Sequence, residues 1–390
     1  MSPNREMAER TRREFIEAAA ATAAAAVLVP SVFVASRSTP TAMAQGPVGP
    51  GAPFGAYQSE IYISGMSAGV EPIFTTNLSD LEAAAAEVLF EQARRYLLAD
   101  AGGAVAVRAN ARALHAWRIV PRMFIDRDAR ELTTTVLGVE MPAPVILGPV
   151  GRQDLAHPEA ESATARAAAG LDLTYVHSSR ASQSIEVVAA AAPQGSRWFG
   201  LKWPDGGDPD LSSLLRAQAA GCTHLVLSPP QPGQGWAALT PIRDAWNGPI
   251  VLSGIQSVQA ARMAVRRGFE GIVVSDERGR RGARPTGTID RLPKIVDAVG
   301  GRVAVLFGSG VRTGPDVFRA LALGAEAVLI GRPYVHGLAL AGQDGVRHML
   351  RTLLAELEID LAIAGVENHR RLGPRALVRD PARSSSRRSA

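Results

Sequence analysis

The sequence predicts an α/β chain folded as a single (β/α)8 TIM barrel with an N-terminal helical extension. Two observations carry this. From Pro142 onward short apolar runs alternate with helical stretches, the pattern of buried parallel strands joined by helices. Polar residues collect where the runs end, at Ser178, Lys202, Ser228, Ser253, Ser275 and Ser309, on the face where such barrels keep their sites.

The runs are PAPVILGPV, LDLTYVHS, RWFGLKW, HLVLS, PIVLSG, GIVVSD, VAVLFG and AVLIG. Stretches such as EAESATARAAAG, SIEVVAAAA, DLSSLLRAQAAG, VQAARMAVRRG, IDRLPKIVDAVG and GPDVFRALALG separate them, and the last helix falls on VRHMLRTLLAELEIDLAIAG. A doubly wound open sheet shares this alternation but seldom reaches eight units. The barrel is expected over 142–375, preceded by a lead and helices over 45–141. Asn77 to Asp100 has a cap-competent Asn77 or Ser79 and apolar spacings of three and four, which reads as helix.

Residues 11–44 read TRREFIEAAAATAAAAVLVPSVFVASRSTPTAMA. Arg12-Arg13 ahead of a weakly apolar alanine-rich core, with an A-x-A site at Ala42-Met43-Ala44, predicts a twin-arginine export signal over 1–44. The mature chain would begin near Gln45 and reside in the periplasm or outside the cell. Glu17 and Pro30 argue against a transmembrane helix there, so no stable membrane span is expected after cleavage. The basic end RDPARSSSRRSA predicts a disordered tail over 376–390.

At 390 residues, 46% hydrophobic and 20% charged, the chain has ample core-forming material. The net charge of +5 lies partly in the tails, and aromatics make up only 5%, which speaks against nucleic acid as a partner. A single cysteine, Cys222 in an apolar run, excludes an internal disulfide framework and a Cys-rich zinc site. The few histidines lack spacing such as H-E-x-x-H, so no metal is expected.

The densest signal is AVLIGRPYVHG at Ala327–Gly337 together with GSGVRTG at Gly308–Gly314. Each places glycine and an arginine at the end of one of two consecutive apolar runs. Glycine lets main-chain N–H groups approach an anion, and arginine supplies a planar charged fork. The ends of strands 7 and 8 of such a barrel are where a cofactor phosphate usually sits.

LAHPEAESATARAAAG, SIEVVAAA, GIVVSDERGRR, VRTGPDVFRALALGAEAVLIGRP and GLALAGQDGVRHML, with shorter echoes at Tyr62, Pro121-Arg122 and Thr133–Gly138, resemble the FMN-dependent α-hydroxy acid dehydrogenase and oxidase family. The lactate and glycolate oxidases belong to it. The resemblance implies FMN, with its phosphate in turns matching Ser309, Gly310, Val311, Arg312, Gly331 and Arg332. Gly308 replaces the aspartate that opens the first turn and Thr313 its second arginine, which leaves the ribityl chain less anchored. It implies a flavin ring lined by Pro149, Val150 and Gly151, by Ser178, Ser228 and Ser275, and by the positions of Gly200 and Ser253. It also implies a small-molecule substrate held by Tyr62 and Arg280, and allows a homo-oligomer.

The chain departs from the family pattern at the reacting end. Glu277 stands where the family has its catalytic histidine, Pro230 where it has the supporting aspartate, and Ser253 where it has a lysine beside the flavin. Gly200 and Lys202 replace a glutamine and a tyrosine, so Lys202 becomes a stand-in cation. The loop carrying a carboxylate arginine is cut to PPQPGQGWAALTP. Carboxylates are weaker bases than imidazole near neutrality. Two readings follow: hydride transfer from a 2-hydroxy acid or relative with Glu277 as base and L-lactate turned over negligibly, or a non-catalytic, repurposed FMN-binding barrel. His157 in LAHP reads as a capping or packing residue, and His336 as a buried neighbour of the phosphate turn.

Overall fold

The computed structural model describes residues 54–57, 75–98, 104–122, 125, 130–204, 208–228, 235–276 and 287–380. The expected signal at 1–44, the tail at 381–390, Tyr62, Pro230, Glu277 and Arg280 lie outside the described residues.

Every apolar run becomes a barrel strand: β1 (Val145–Leu147), β2 (Tyr175–Ser178), β3 (Arg197–Leu201), β4 (Leu225–Leu227), β5 (Ile250–Leu252), β6 (Gly271–Ser275), β7 (Ala304–Gly308) and β8 (Ala327–Ile330). They pair in parallel and in order, and β8 pairs with β1 to close the barrel. Alternation along each strand sorts the side chains. Ile146, Val176, Trp198, Val226, Val251, Val273, Leu306 and Ala327 fill the interior, while their neighbours in sequence pack outward under the helices. Both faces are therefore apolar, which is why the strands read as continuous hydrophobic runs.

A hairpin of Thr134–Val136 and Val139–Met141 plugs one end of the barrel through Val136 and Met141. Its turn puts Leu137 at φ 52° and Gly138 at φ 84°, the left-handed pair a two-residue hairpin demands. The Leu137 carbonyl accepts a hydrogen bond from His224 Nε2 at 3.0 Å, and His224 stacks on Trp198 with centroids 4.5 Å apart.

The surrounding helices are α1 (Ala160–Ala169), α2 (Ile185–Ala191), α3 (Ser212–Ala219), α4 (Thr240–Ala245), α5 (Val258–Arg266), α6 (Leu292–Val299), α7 (Gly314–Ala322) and α8 (Arg332–Ile363). The last differs from expectation, because it begins directly after β8 rather than near Val346. It carries a kink at Ala341 and Gly342, the latter at φ 55°, which interrupts the sequence periodicity. A side chain on Gly342 would meet the His157 ring at 2.8 Å. His157 also caps the approach to α1, accepting from Glu159 N–H at 3.2 Å. Its role is packing and capping, as expected.

The extension covers the barrel with Leu78–Val88, Glu91–Leu98 and Ala104–His115. The expected helix from Asn77 is broken at Leu89, whose ψ of 133° is extended. Asn77 does cap it, accepting from Ser79 N–H at 3.0 Å.

A second correction falls at the other end, where the tail was expected from 376. Leu377–Arg379 form a strand antiparallel to Trp117–Ile119. Leu377 is buried, and Arg379 lies over the Trp117 ring and pairs with Asp290 at 3.0 Å. Its charge reads as tail composition in sequence but is spent on a stacked, ion-paired contact.

Among the described residues no helix is long and apolar enough to cross a membrane, and no group of acidic, histidine and cysteine side chains is arranged to hold a metal.

Candidate active site

The strand ends surround a cavity of about 490 Å³. Its phosphate-side wall is mostly backbone. After β7 the chain turns through Ser309, Gly310 and Val311 to Arg312. Gly310 sits at φ 78°, where a side chain would also strike Asn110 Cβ at 2.9 Å, so helix Ala104–His115 packs directly on the turn. Ser309 Oγ accepts from Asp276 N–H at 2.8 Å, tying the β6 end to this turn. Asp316 accepts from the N–H groups of Arg312 and Thr313 at 3.0 and 3.3 Å in a capping box that starts α7. The Arg312 guanidinium donates to the Val311 carbonyl at 3.0 Å and pairs with Glu82 at 3.5 Å.

The second arm follows β8. Gly331 caps α8, Arg332 is its first residue, and both line the cavity. Tyr334, fully buried, donates its hydroxyl to the Gly148 carbonyl at 2.7 Å and locks α8 to the end of β1.

The adjoining wall, at the ends of β5 and β6, carries side-chain hydroxyls. Ser253 and Ser275 are buried with their Oγ atoms 3.1 Å apart, and Ser275 Oγ accepts from Gly254 N–H at 2.9 Å. Asp276 lines the same wall, its carboxylate accepting from Gln256 at 2.9 Å and Asn110 at 3.4 Å. Asn110 in turn accepts from Thr288 N–H at 2.9 Å.

At the ends of β1 to β3 the chain is held by one fully buried carboxylate. Glu161 accepts from the N–H groups of Gln153, Ser182 and Gln183 and from Ser182 Oγ at 2.6 to 3.2 Å. That joins the loop after β1 to the loop after β2. Gly151 is required there, since a Cβ would lie 2.4 Å from the Arg180 carbonyl oxygen. Arg180 N–H donates to Ser178 Oγ at 3.1 Å, and Lys202 N–H donates to Ser179 Oγ at 3.0 Å.

Most expected residues therefore meet. Pro149, Val150, Gly151, Ser178, Lys202, Ser253, Ser275, Gly308, Ser309, Gly310, Val311, Arg312, Gly331 and Arg332 line the one cavity. Gly200 does not line it: a Cβ there would meet Pro149 at 2.6 Å, so Gly200 makes room for Pro149 instead. Ser228 lies outside the lining as well, half-buried, with its N–H on the Leu201 carbonyl at 3.0 Å. Residues that sequence reading missed include Tyr96, Asn110 and Arg180. Arg180 lies two residues beyond Ser178, and the strand-end rule that flagged Ser178 reaches it. Asn110 shows as a lone amide within a helix, whereas nothing in its local pattern singles out Tyr96.

The charge is one-sided. Arg95, Arg180, Lys202, Arg312 and Arg332 line the cavity with Asp276 as their acidic counterpart among the lining residues. His336 is buried one turn after Arg332. Burial first, then Arg312 and Arg332, push its pKa down to about 3, so the ring is neutral and adds no charge.

The sequence model of the FMN-dependent dehydrogenase family matches residues 85–229 and 228–379. Tyr62 lies outside that match. An FMN-dependent alpha-hydroxy acid dehydrogenase of Penicillium citrinum is 37% identical over 373 residues, covering 80% of this chain and 93% of its own. An L-lactate oxidase of Lysinibacillus sphaericus is 32% identical over 361 residues, with 79% and 94% covered. A mandelate oxidase solved with benzoyl-formic acid superposes with a TM-score of 0.70 at 35% identity, over 78% of this chain and 98% of that one. Closed barrel, two-armed anion cradle and a match spanning most of the chain agree: this protein belongs to the FMN-dependent α-hydroxy acid dehydrogenase and oxidase family.

Proposed function

We propose that the chain is an exported FMN-dependent oxidoreductase that oxidises a small 2-hydroxy acid to the 2-oxo acid. The observation that carries the reading is the pairing, in one cavity, of a backbone-built anion cradle with a hydroxyl-lined wall. These residues fit FMN. Arg312, Arg332 and the start of α8 would hold its phosphate. Ser178, Ser253, Ser275 and the main chain at Pro149–Gly151 supply hydrogen-bonding groups for the ring and ribityl chain. Bound there, FMN would supply a hydride acceptor for the carbon that bears the hydroxyl.

The chain's own residues then have three tasks. Glu277 takes the hydroxyl proton, from the position where the family has histidine. Arg280 and Tyr62 hold the reacting carboxylate, as the family resemblance implies. Lys202 supplies a cation where Ser253 offers a neutral hydroxyl. A hydrogen bond to a charged partner is about twice as strong as a neutral one, so the balance rests on Lys202.

The test is the visible absorption spectrum of the mature chain, followed by anaerobic addition of 2-hydroxy acids. Near one flavin per chain, bleached by a 2-hydroxy acid, supports the reading. A colourless chain that refuses added FMN refutes it, and loaded flavin that no 2-hydroxy acid bleaches leaves a repurposed flavin-binding barrel.

A further inference from the structure

Behind the turn that follows β7, α7 and α8 meet backbone to backbone. A Cβ on Gly314 would lie 2.4 Å from Glu356 Cβ and 2.4 Å from the Leu357 nitrogen, so no side chain separates the helices there. Two carboxyl groups take the N–H groups at the start of α7. Asp316 accepts from Arg312 and Thr313, and Glu356 reaches across from α8 to accept from Gly314 at 2.7 Å. Asp360 stands one turn after Glu356 on the same face of α8, and its Oδ2 is buried without a hydrogen-bond partner.

Among the described residues, the cation paired with this cluster is Arg319, which donates to Asp316 at 2.8 Å and to the Trp117 carbonyl at 2.7 Å. The charges that reach Glu356 are those of Asp360 and Asp316, and those that reach Asp360 are Arg319 and Asp316. Glu82, on the helix Leu78–Val88, pairs instead with Arg312, and Glu358 accepts from Gly55 N–H. Fully ionised, the cluster would set three negative charges against one positive one where charge is poorly solvated. A proton on Glu356 and on Asp360 avoids this, and burial above all raises both groups to about 7.

We propose that Glu356, Asp360 and Asp316 form a proton-operated brace between α8 and the phosphate turn, which holds the cofactor phosphate firmly when protonated and loosens its grip when ionised. This rests on the flavoenzyme reading. Gly314 lies two residues from Arg312, so a shift of α7 against α8 moves the arginine's turn. Negative charge behind the turn also opposes a phosphate in front of it. The phosphate does not produce this dependence itself, because a phosphate monoester is already fully charged above about pH 7.

The test is FMN affinity of the flavin-free chain, read by quenching of FMN fluorescence across pH 7, in wild type and in the double variant Glu356→Gln, Asp360→Asn. Between about pH 6.5 and 8.5 wild type loses roughly fivefold in affinity, whereas the variant changes by less than about twofold. Thermal unfolding of the same flavin-free proteins is the second readout. The variant's melting temperature rises above wild type as pH goes from about 5 to 8, because the folded wild type holds protons that its unfolded state has released. Asp360→Asn alone, which keeps the Glu356 contact with Gly314, shows part of both effects. Parallel affinity profiles overturn the brace while the flavoenzyme reading stands. A chain that takes up no FMN at any pH overturns that reading instead, and the melting curves then decide the brace: a gap that widens with pH upholds it and a constant gap overturns it.

Discussion

The two ends of the cavity are built from different material. The β7–β8 end is made of backbone: a left-handed Gly310 under a helix, a capping box at Asp316, and a helix start at Gly331-Arg332. The β2–β6 end is made of side chains on a held frame: Ser178, Arg180, Lys202, Ser253 and Ser275. Most departures from the family pattern that the resemblance implies, Gly200, Lys202 and Ser253, stand at the second end; at the first, Gly308 and Thr313 depart from it while the turns themselves are kept. Main-chain N–H groups are set by chain path, so they persist as long as the turns do. A side chain at a strand end can change without altering the path beneath it, which lets the reacting half drift while the cradle is kept.

The contrast is broken most sharply at the base. Glu277→Gln is expected to cut turnover by about 10²–10⁴-fold, the usual contribution of a general base, with flavin content unchanged. Flavin loss in step with activity would show that the two ends are not separable.

Arg332→Ala attacks the other end. One charge-assisted hydrogen bond contributes about 1.5–3 kcal/mol, so flavin affinity should weaken by roughly 10- to 100-fold, read as flavin retained per chain after dialysis. Unchanged flavin content would mean that the backbone alone carries the phosphate.

Gly151→Ala probes the frame beneath both. Its Cβ would lie 2.4 Å from the Arg180 carbonyl oxygen, and forcing such a contact costs about 1–3 kcal/mol. Thermal unfolding should report the loss, and a melting temperature equal to wild type would show that the β1 and β2 loops are not braced together.

The smallest effect near neutrality is that of His336→Phe. Burial holds His336 down at about 3 in the folded chain against 6.5 for the free ring. Between those values the unfolded state binds a proton that the folded state does not, so His336 removes stability as pH falls from 6.5 toward 3. His177, held at about 4 by burial, acts in the same direction. Glu356 and Asp360, raised to about 7 chiefly by burial, oppose it, since their contribution is lost as pH rises through 7. The melting temperature of His336→Phe should match wild type near pH 7.5 and exceed it increasingly below pH 6. A constant difference across that range would remove His336 from the acid response.

What was legible follows the same division. Buried parallel strands leave unbroken apolar runs in sequence, and glycine-arginine turns leave a recognisable text, so the barrel and the cradle could be read directly. The start of α8 was obscured because its kink at Gly342 divides one helix into two weak patterns. Gly200 was misread because a glycine opposite a proline shows only that something approaches closely, not what. Tyr62 drew attention through a short echo, whereas Tyr96 lies within an arginine-rich turn of helix that resembles any solvated surface.

By itself, the sequence determined the fold class, the strand order and the glycine-arginine turns at the ends of β7 and β8. Each of these rests on local periodicity or on residues adjacent in the chain, where the backbone's own preferences act. Only the tertiary structure decided that Arg180 shares a cavity with Arg332, that Gly200 makes room for Pro149, and that Leu377–Arg379 pair with Trp117–Ile119. Those are contacts between residues far apart in sequence, created when the barrel closes and invisible to any pattern shorter than the barrel itself.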